Sequence, residues 1–332
     1  KLPMIYDSIS LLFDDMVRGL CLSLSEDLSG GDIENVMKRI SSIIPGLFLS
    51  MPFFTALEHM FQNRRLIGEL RRRFDVPSGK KKPRVLWFTD TFNDLNGVSV
   101  TMHNVLSAAR RFEMDVTIVT ADDGSGGVGR NETGLMGLPS IFTYRPDFYN
   151  TLELMIPSVL RSLKLIQEHE PDRIVISTPG PVGLLGLLAA RLMHCDCTSV
   201  YHTDFTAQAR KIMGETFMFD VIESYTKWFF EQTDRIKVPT MEYIDVLSQR
   251  NFPCEKLSRF RRGIDTTRFR PVENAGRILN QTYALAPGHT FLYAGRLSHD
   301  KNIDFLLDVY LAARRIHPDC NLVIAGEGPY AP

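Results

Sequence analysis

The chain has 332 residues, a formal net charge of −1 at pH 7 and 44% hydrophobic residues, the composition of a soluble globular protein long enough for two domains. Charge this close to neutral argues against nucleic acid as a partner, and no apolar run reaches the roughly 18 residues a transmembrane helix requires. Of the five cysteines, Cys21, Cys195, Cys197, Cys254 and Cys320, one pair is close, but its C-x-C spacing is not that of a zinc site; reduced, buried thiols in a cytosolic protein, and no metal, are expected.

Residues 1–83 read as helical segments followed by a basic linker. Ile5, Ile9, Leu12, Met16 and Leu20 recur at mixed helical spacing, Leu28 to Asp32 breaks the pattern, and Asp32 can cap a helix over 33–43. Pro45 and Pro52 punctuate a third segment. A helix is expected over 53–74, with Leu57, Met60, Phe61, Ile67, Leu70 and Phe74 packed on protein. Its other face carries Arg64, Arg65, Arg71, Arg72 and Arg73, and the lysines before Pro83 follow. Such a basic amphipathic helix can lie on an anionic membrane surface, or simply be the solvated face of a docking helix.

From Arg84 strands and helices alternate. Strands are expected at 84–90, 116–120, 141–144, 173–177, 199–201, 235–238 and 257–261, and helices at 98–112, 157–168, 182–193, 215–232 and 242–250. Nearly continuous apolar strand runs belong to parallel sheets covered on both faces, so the alternation argues a doubly wound α/β fold. Gly124 to Gly137 reads as a glycine-rich loop. A second α/β domain opens with strands at 291–294 and 321–325 around a helix. The expected division is 1–83, 84–272 and 273–332, the last holding only a first β–α–β. Both ends read as cuts through a longer chain.

Polar residues gather after the strands, on the side where open parallel sheets bind ligands. Asp90 to Ser99 includes Gly97, which allows close approach. Tyr201-His-Thr-Asp204 follows another strand. A lone histidine there is more often structural than catalytic, and Asp204 can orient its ring or cap a helix. The strand at 291 ends in Gly295, Arg296 and Lys301, ahead of a helix that Ser298 or Asp300 can cap. Two cations beside a helix N-terminus suit a diphosphate, although a βα turn with solvated charges fits the same residues. Gly124 to Gly129 spells G-x-G-x-x-G after a strand, but it lies in the glycine-rich loop and opens no expected helix, so the dinucleotide fingerprint is incomplete; G-x-x-x-x-G-K-[ST] does not occur.

Taken together, Asn96-Gly-Val-Ser99, Pro179-Gly-Pro-Val-Gly183, His202-Thr-Asp204, Arg262-Gly-Ile-Asp265, Gly295-Arg-Leu297 with Lys301, and Gly326-Glu-Gly-Pro329 resemble the retaining glycosyltransferases of family 4, over about 84–332. His202-Thr-Asp-Phe205 is similar to the subgroup that glycosylates lipids, including mannosyl- and sulfoquinovosyl-transferases. The resemblance implies a GT-B fold of two Rossmann-like domains. It implies a nucleotide-sugar donor held mainly by the C-terminal domain, a lipid or glycan acceptor on the N-terminal one, and neither cofactor nor required metal. A cytoplasmic enzyme, peripheral at the inner membrane face, is expected.

Carried over to this sequence, the catalytic residues are His202, which places the transferred sugar, and Arg296 and Lys301, which hold the diphosphate. Gly97, Val98, Gly295, Gly326 and Gly328 join Arg296 and Lys301 in binding the donor, and Asn96 and Asp204 lie on the acceptor side. Retention proceeds by same-face attack, with the leaving phosphate taking the acceptor's proton. The family's later E-x7-E motif does not occur before Pro332, and residues 1–83 match nothing in the family. The alternative is an inactive nucleotide-sugar-binding or scaffold module. A third reading, a Rossmann oxidoreductase, is weakened because no dinucleotide fingerprint leads from a strand into an expected helix.

Overall fold

A computed structural model describes residues 2–30, 44–74, 82–94, 96–124, 133–145, 153–202, 204, 217–298, 301–328 and 330–331. The chain divides into two compact units, Lys1–Arg262 and Gly263–Pro332. The helical N-terminal segment belongs to the first unit rather than standing alone. The boundary falls ahead of 272, where exposed residues are held by their own turn: Asp265 accepts from the backbone of Thr267 and Arg268.

The strands of the first unit are β1 (Val85–Phe88), β2 (Val116–Asp122), β3 (Leu135–Tyr144), β4 (Leu154–Pro157), β5 (Arg173–Ile176), β6 (Asp196–Val200), β7 (Arg235–Val238) and β8 (Leu257–Arg259). They form one sheet in the order β4-β3-β2-β1-β5-β6-β7-β8. All neighbours are parallel except β3 and β4. The chain begins mid-sheet, winds outward to β4, returns beside β1 and winds outward the other way, which is the doubly wound topology expected.

Helices α4 (Gly97–Arg111), α5 (Val159–Glu168), α6 (Pro181–Leu192), α7 (Phe217–Glu231) and α8 (Met241–Gln249) accompany the sheet. Successive strand residues feed opposite cores. Leu86, Phe88, Val119, Ile174 and Ile176 pack with residues of α6, while Ile118 packs with Met102 and Leu106 of α4, and Trp87 lies against that second cluster.

Two strand readings need correction. β3 starts at Leu135, inside the stretch read as a loop, because Met136 and Leu138 are buried in one core and Leu135 packs on the other. β4 is new: a four-residue antiparallel edge strand is too short to show a period.

The N-terminal helices are α1 (Leu2–Gly30), α2 (Ile44–Phe61) and α3 (Arg64–Arg73). The helix expected over 33–43 lies outside the described residues. The single helix expected over 53–74 is two: α2 carries Pro52 within it, and α3 restarts after Asn63, whose carbonyl accepts from Ile67 N–H. The break resets the helical phase. Of the predicted stripe, Leu57 is buried and Phe61 half-buried, whereas Met60, Ile67, Leu70 and Phe74 are exposed.

Arg64, expected in solvent or at lipid, instead docks on the α/β core. It donates to the carbonyls of Pro171 at 2.7 Å and Met193 at 3.4 Å, and its guanidinium lies 4.8 Å over the Phe61 ring. Met193 caps the carboxyl end of α6, where carbonyls lack intrahelical partners and a cation is favoured. Arg73 is exposed. Further ties are Arg18 Nε to the Ile141 carbonyl at 3.0 Å and Ser158 Oγ to buried Asp14 at 2.8 Å. Lys82, from the expected linker, donates to the Phe112 and Glu113 carbonyls after α4.

The thiols are free, but Cys254 is exposed and Cys21 only half-buried. Burial pushes Cys195 up to about 11 and Cys197 up to about 12, so both stay protonated.

The second unit holds α9 (Ala275–Tyr283), β9 (Thr290–Ala294), α10 (Ile303–Ile316) and β10 (Asn321–Ala325), with β9 and β10 parallel.

Candidate active site

Polar residues just beyond β1, β5 and β6 meet at the point where the sheet reverses direction, the ligand side of such folds. Ser177 Oγ lies 3.0 Å from His202 Nε2, 2.8 Å from Trp87 Nε1 and 3.8 Å from Met102 Sδ. Arg262 approaches the other ring nitrogen, Nδ1, at 3.1 Å. An indole N–H and a guanidinium can only donate. Nδ1 therefore accepts from Arg262, and the ring's own hydrogen sits on Nε2 and points at Ser177. Ser177 accepts from both Trp87 and His202 and turns its hydrogen toward Met102 sulfur.

Burial, and then the charge of Arg262, lower the His202 pKa from 6.5 to about 4. The imidazole is neutral at pH 7, held in one tautomer, with Phe260 edge-on at 5.9 Å. It can share hydrogen bonds with a sugar hydroxyl but supplies no charge. A cleft of about 530 Å³ opens beside Arg262, lined also by Thr240, Glu242, Arg259 and Phe260.

Asp204 is paired with Arg250, and the segment it was expected to cap lies outside the described residues. Its two oxygens each lie 3.0 Å from an Arg250 guanidinium nitrogen, and the Tyr201 hydroxyl donates to it at 3.0 Å. This two-pronged pair ties the end of β6 to the carboxyl end of α8. The two ring nitrogens of His202 are met by Ser177 and Arg262.

Asp90 does similar work after β1. Its carboxylate accepts from Val182 N–H at 2.8 Å, Thr178 Oγ1 at 2.5 Å and Gly183 N–H at 3.4 Å. The N-cap of α6, Gly180, has no side chain to offer, so a carboxylate from another strand caps the helix. A Cβ on Gly180 would sit 2.6 Å from that carboxylate, and one on Gly183 would sit 1.9 Å from the Thr178 carbonyl oxygen. Close packing of α6 on the strand ends thus accounts for the Pro-Gly-Pro-Val-Gly run. Burial pushes the Asp90 pKa up to about 6, against the hydrogen bonds from Thr178, Val182 and Gly183.

Asn96 is the N-cap of α4, its Oδ1 accepting from the Val98 and Ser99 N–H groups, each at 2.9 Å. Val98 is buried and its N–H is committed to that cap. Gly97 is different: it is exposed, and a Cβ there would meet nothing within 4 Å. Packing does not require glycine at that position.

In the second unit, Gly295 N–H bonds to the Ala325 carbonyl at 3.0 Å and Leu297 N–H to the Glu327 carbonyl at 2.9 Å. A Cβ on Gly326 would lie 1.8 Å from the Gly295 oxygen, and Gly328, at φ 155°, lies against Leu297. These glycines let the loops after β9 and β10 close on each other. Arg296 is half-buried, with Nε 3.4 Å from Ser298 Oγ, and Lys301 is exposed. Ser298 does not cap α10. The N-cap is Asn302, left-handed at φ 50° and without a side-chain cap bond; Asp300 lies outside the described residues. Both cations thus stand on the loop that leads into α10.

Sequence reasoning passed over Ser177, Trp87 and Arg250 as site residues and quoted Arg262 only within a motif. A polar Ser-Thr pair directly after an apolar strand was the available signal for Ser177. Among the described residues, no three His, Cys, Asp or Glu side chains gather to hold a metal.

The family model described as Glycosyltransferase Family 4 matches residues 95–268. The alpha-monoglucosyldiacylglycerol synthase of Streptococcus pneumoniae is 25% identical over 255 residues, which is 74% of this chain and 56% of that protein. The GDP-mannose-dependent alpha-(1-6)-phosphatidylinositol monomannoside mannosyltransferase of Mycolicibacterium smegmatis is 28% identical over 188 residues, 54% of this chain and 45% of that protein. The chain spans about half the length of these curated relatives. Among solved structures, Anabaena HepE in complex with UDP-glucose superposes with a TM-score of 0.54 at 12% identity, over 74% of this chain and 61% of that one. At that identity the likeness is one of fold.

Proposed function

The chain belongs to Glycosyltransferase Family 4, and on that premise we propose that the protein moves a hexose from a nucleoside-diphosphate donor to a lipid or glycan acceptor with retention of configuration. The observation that carries this reading is the overlap of the family match, 95–268, with the sheet whose strand ends assemble Ser177, His202 and the Asp90-capped α6. The names of the relatives favour a lipid acceptor, since one is a synthase of a monoglucosyldiacylglycerol and the other a mannosyltransferase named for a phosphatidylinositol monomannoside.

In this reading Arg296 and Lys301 bind the donor diphosphate. A departing nucleoside diphosphate gains negative charge as the glycosidic bond breaks, and fixed cations stabilise it most at that moment. Neutral His202 shares a hydrogen bond with the transferred sugar. Open space at Gly97 admits the donor. The acceptor hydroxyl attacks from the face the leaving group vacates, and the leaving phosphate takes its proton. No described helix is long and apolar enough to cross a membrane. We assign the enzyme to the cytoplasmic membrane face, a reading supported by the relatives named for lipid products or acceptors.

The test is a screen of radiolabelled UDP- and GDP-hexoses with the full-length protein and a membrane lipid extract. Label should enter the lipid phase with one donor. A donor that binds in calorimetry yet is never transferred would establish the inactive module instead.

A further inference from the structure

The helical layer holds a cavity for which the transfer reaction has no use. It measures about 320 Å³ and lies between α1, α2 and α5. Tyr6, Phe53, Leu57, Met60, Leu160 and Leu163 wall it, and Lys164 and Gln167 stand on its rim. The volume lies at the lower end of ordinary ligand pockets. Leu57 and Leu163 are buried at its base, whereas Ala56, Met60 and Lys164 are exposed, so the cavity opens to solvent. The Tyr6 hydroxyl is taken by the Leu160 carbonyl, and Lys164 Nζ lies 5.6 Å from the Tyr6 ring centroid.

The surroundings are apolar as well. Ile44, Leu47, Phe48 and Met51 of α2 are exposed, and isolated exposed residues of this kind are ordinary, but a run of them on the helix that walls an apolar cavity is not. None of the residues lining the cavity is among those that surround His202. An apolar cleft with one ammonium at its mouth suits an alkyl chain with a charged head.

We propose that this cavity binds one long acyl chain bearing an anionic head group, with Lys164 meeting the head. Asp7 and Glu168 also act electrostatically on Tyr6, so the mouth is of mixed sign and affinity rests mainly on the chain. The inference does not depend on the transferase reading and is tested without turnover.

The probe is cis-parinaric acid, titrated by fluorescence into the full chain. Saturable binding of one probe per chain is expected. Saturated fatty acids should displace it, with affinity rising roughly fourfold per methylene until the cavity is full. Ala56→Trp fills the cavity from an exposed position and should weaken binding at least tenfold. Met60→Trp serves the same purpose if circular dichroism shows that Ala56→Trp misfolds. Lys164→Glu should weaken anionic competitors a few-fold and leave a monoacylglycerol unchanged. Displacement by phosphatidylglycerol vesicles identifies a bilayer lipid as the source, and displacement by palmitate alone a free acid; either supports the site. Absence of saturable binding, or unchanged binding in a folded cavity-filling variant, overturns it.

Discussion

His202 shows how a ring acquires a state that its residue type leaves open. Two groups that can only donate, Trp87 and Arg262, leave a single consistent hydrogen-bond assignment, with the ring proton on Nε2. Nitrogen-15 NMR should therefore find the Nε2–H tautomer and no protonation above about pH 5. The ring takes up its proton near pH 4 when folded and near 6.5 when unfolded. Between those values the unfolded chain binds more protons, so this residue makes stability rise with pH across the window and fall as pH drops through it. In His202→Gln that part of the slope should vanish from urea-unfolding midpoints measured between pH 4 and 6.5; an unchanged slope contradicts the burial argument. Glycines separate in the same way. Gly183→Ala forces a Cβ onto the Thr178 carbonyl and should cost about 2 kcal/mol or more in thermal or chemical unfolding. Gly97→Ala meets open space in the first turn of α4 and should leave stability level or raise it by roughly 0.5 kcal/mol. If the donor passes there, the same change lowers transfer, so the two readouts separate packing from function.

Among the elements, α3 departs most from its sequence pattern. Its apolar and basic residues were legible, but the face each would present was not. Asn63 starts a new helix, and a restart between two helical runs changes the direction of every later side chain. Arg64 thereby reaches the carbonyls of Pro171 and Met193, for which the Cys195 thiol is a second, weaker donor. Arg64→Ala should destabilise the first unit by about 1.5–3 kcal/mol, the range for hydrogen bonds to a charged group. Arg64→Met, which can keep contact with Phe61, should recover little of that loss, because the two carbonyls would keep only the weak thiol donor Cys195. Full recovery by Met would mean that packing, not the cation, holds α3 in place. The edge strand β4 was invisible for a different reason: four residues give no period, and its pairing partner lies in β3.

At the scale of the whole molecule, the proposal divides the labour between the units, the first placing the sugar and the second holding the diphosphate. Arg296→Ala and Lys301→Ala should each reduce transfer by about 10²-fold, as for other charge-stabilising groups. Arg296→Lys should also be poor, since a point charge cannot reproduce a planar fork. Calorimetric titration of the full-length protein with UDP and GDP should show weakened affinity in both alanine variants, with unfolding midpoints unchanged. Equal affinity in wild type and both variants would make the pair ordinary surface charges. The neighbourhood of Arg296 argues for keeping the fold readout: Tyr293 donates to its carbonyl, so the loop is held by its backbone and should survive loss of the side chain.

The sequence by itself determined that the chain is a doubly wound α/β protein with glycosyltransferase motifs in order. Short strand runs apolar on both faces can be satisfied only inside a sheet covered on both sides, and that constraint is local enough to read along the chain. The resemblance of those motifs to family 4 pointed to His202, Arg296 and Lys301. Only the tertiary structure decided which polar groups meet. Ser177 and His202 are 25 residues apart, His202 and Arg262 are 60, and Asp90 and Val182 are 92. Hydrogen bonds act over about 3 Å and depend on direction, so they are set by which strands lie side by side. A one-dimensional pattern records the period of each strand but not its neighbours, and it was the placing of β5 between β1 and β6 that gave His202 its partners and α6 its cap.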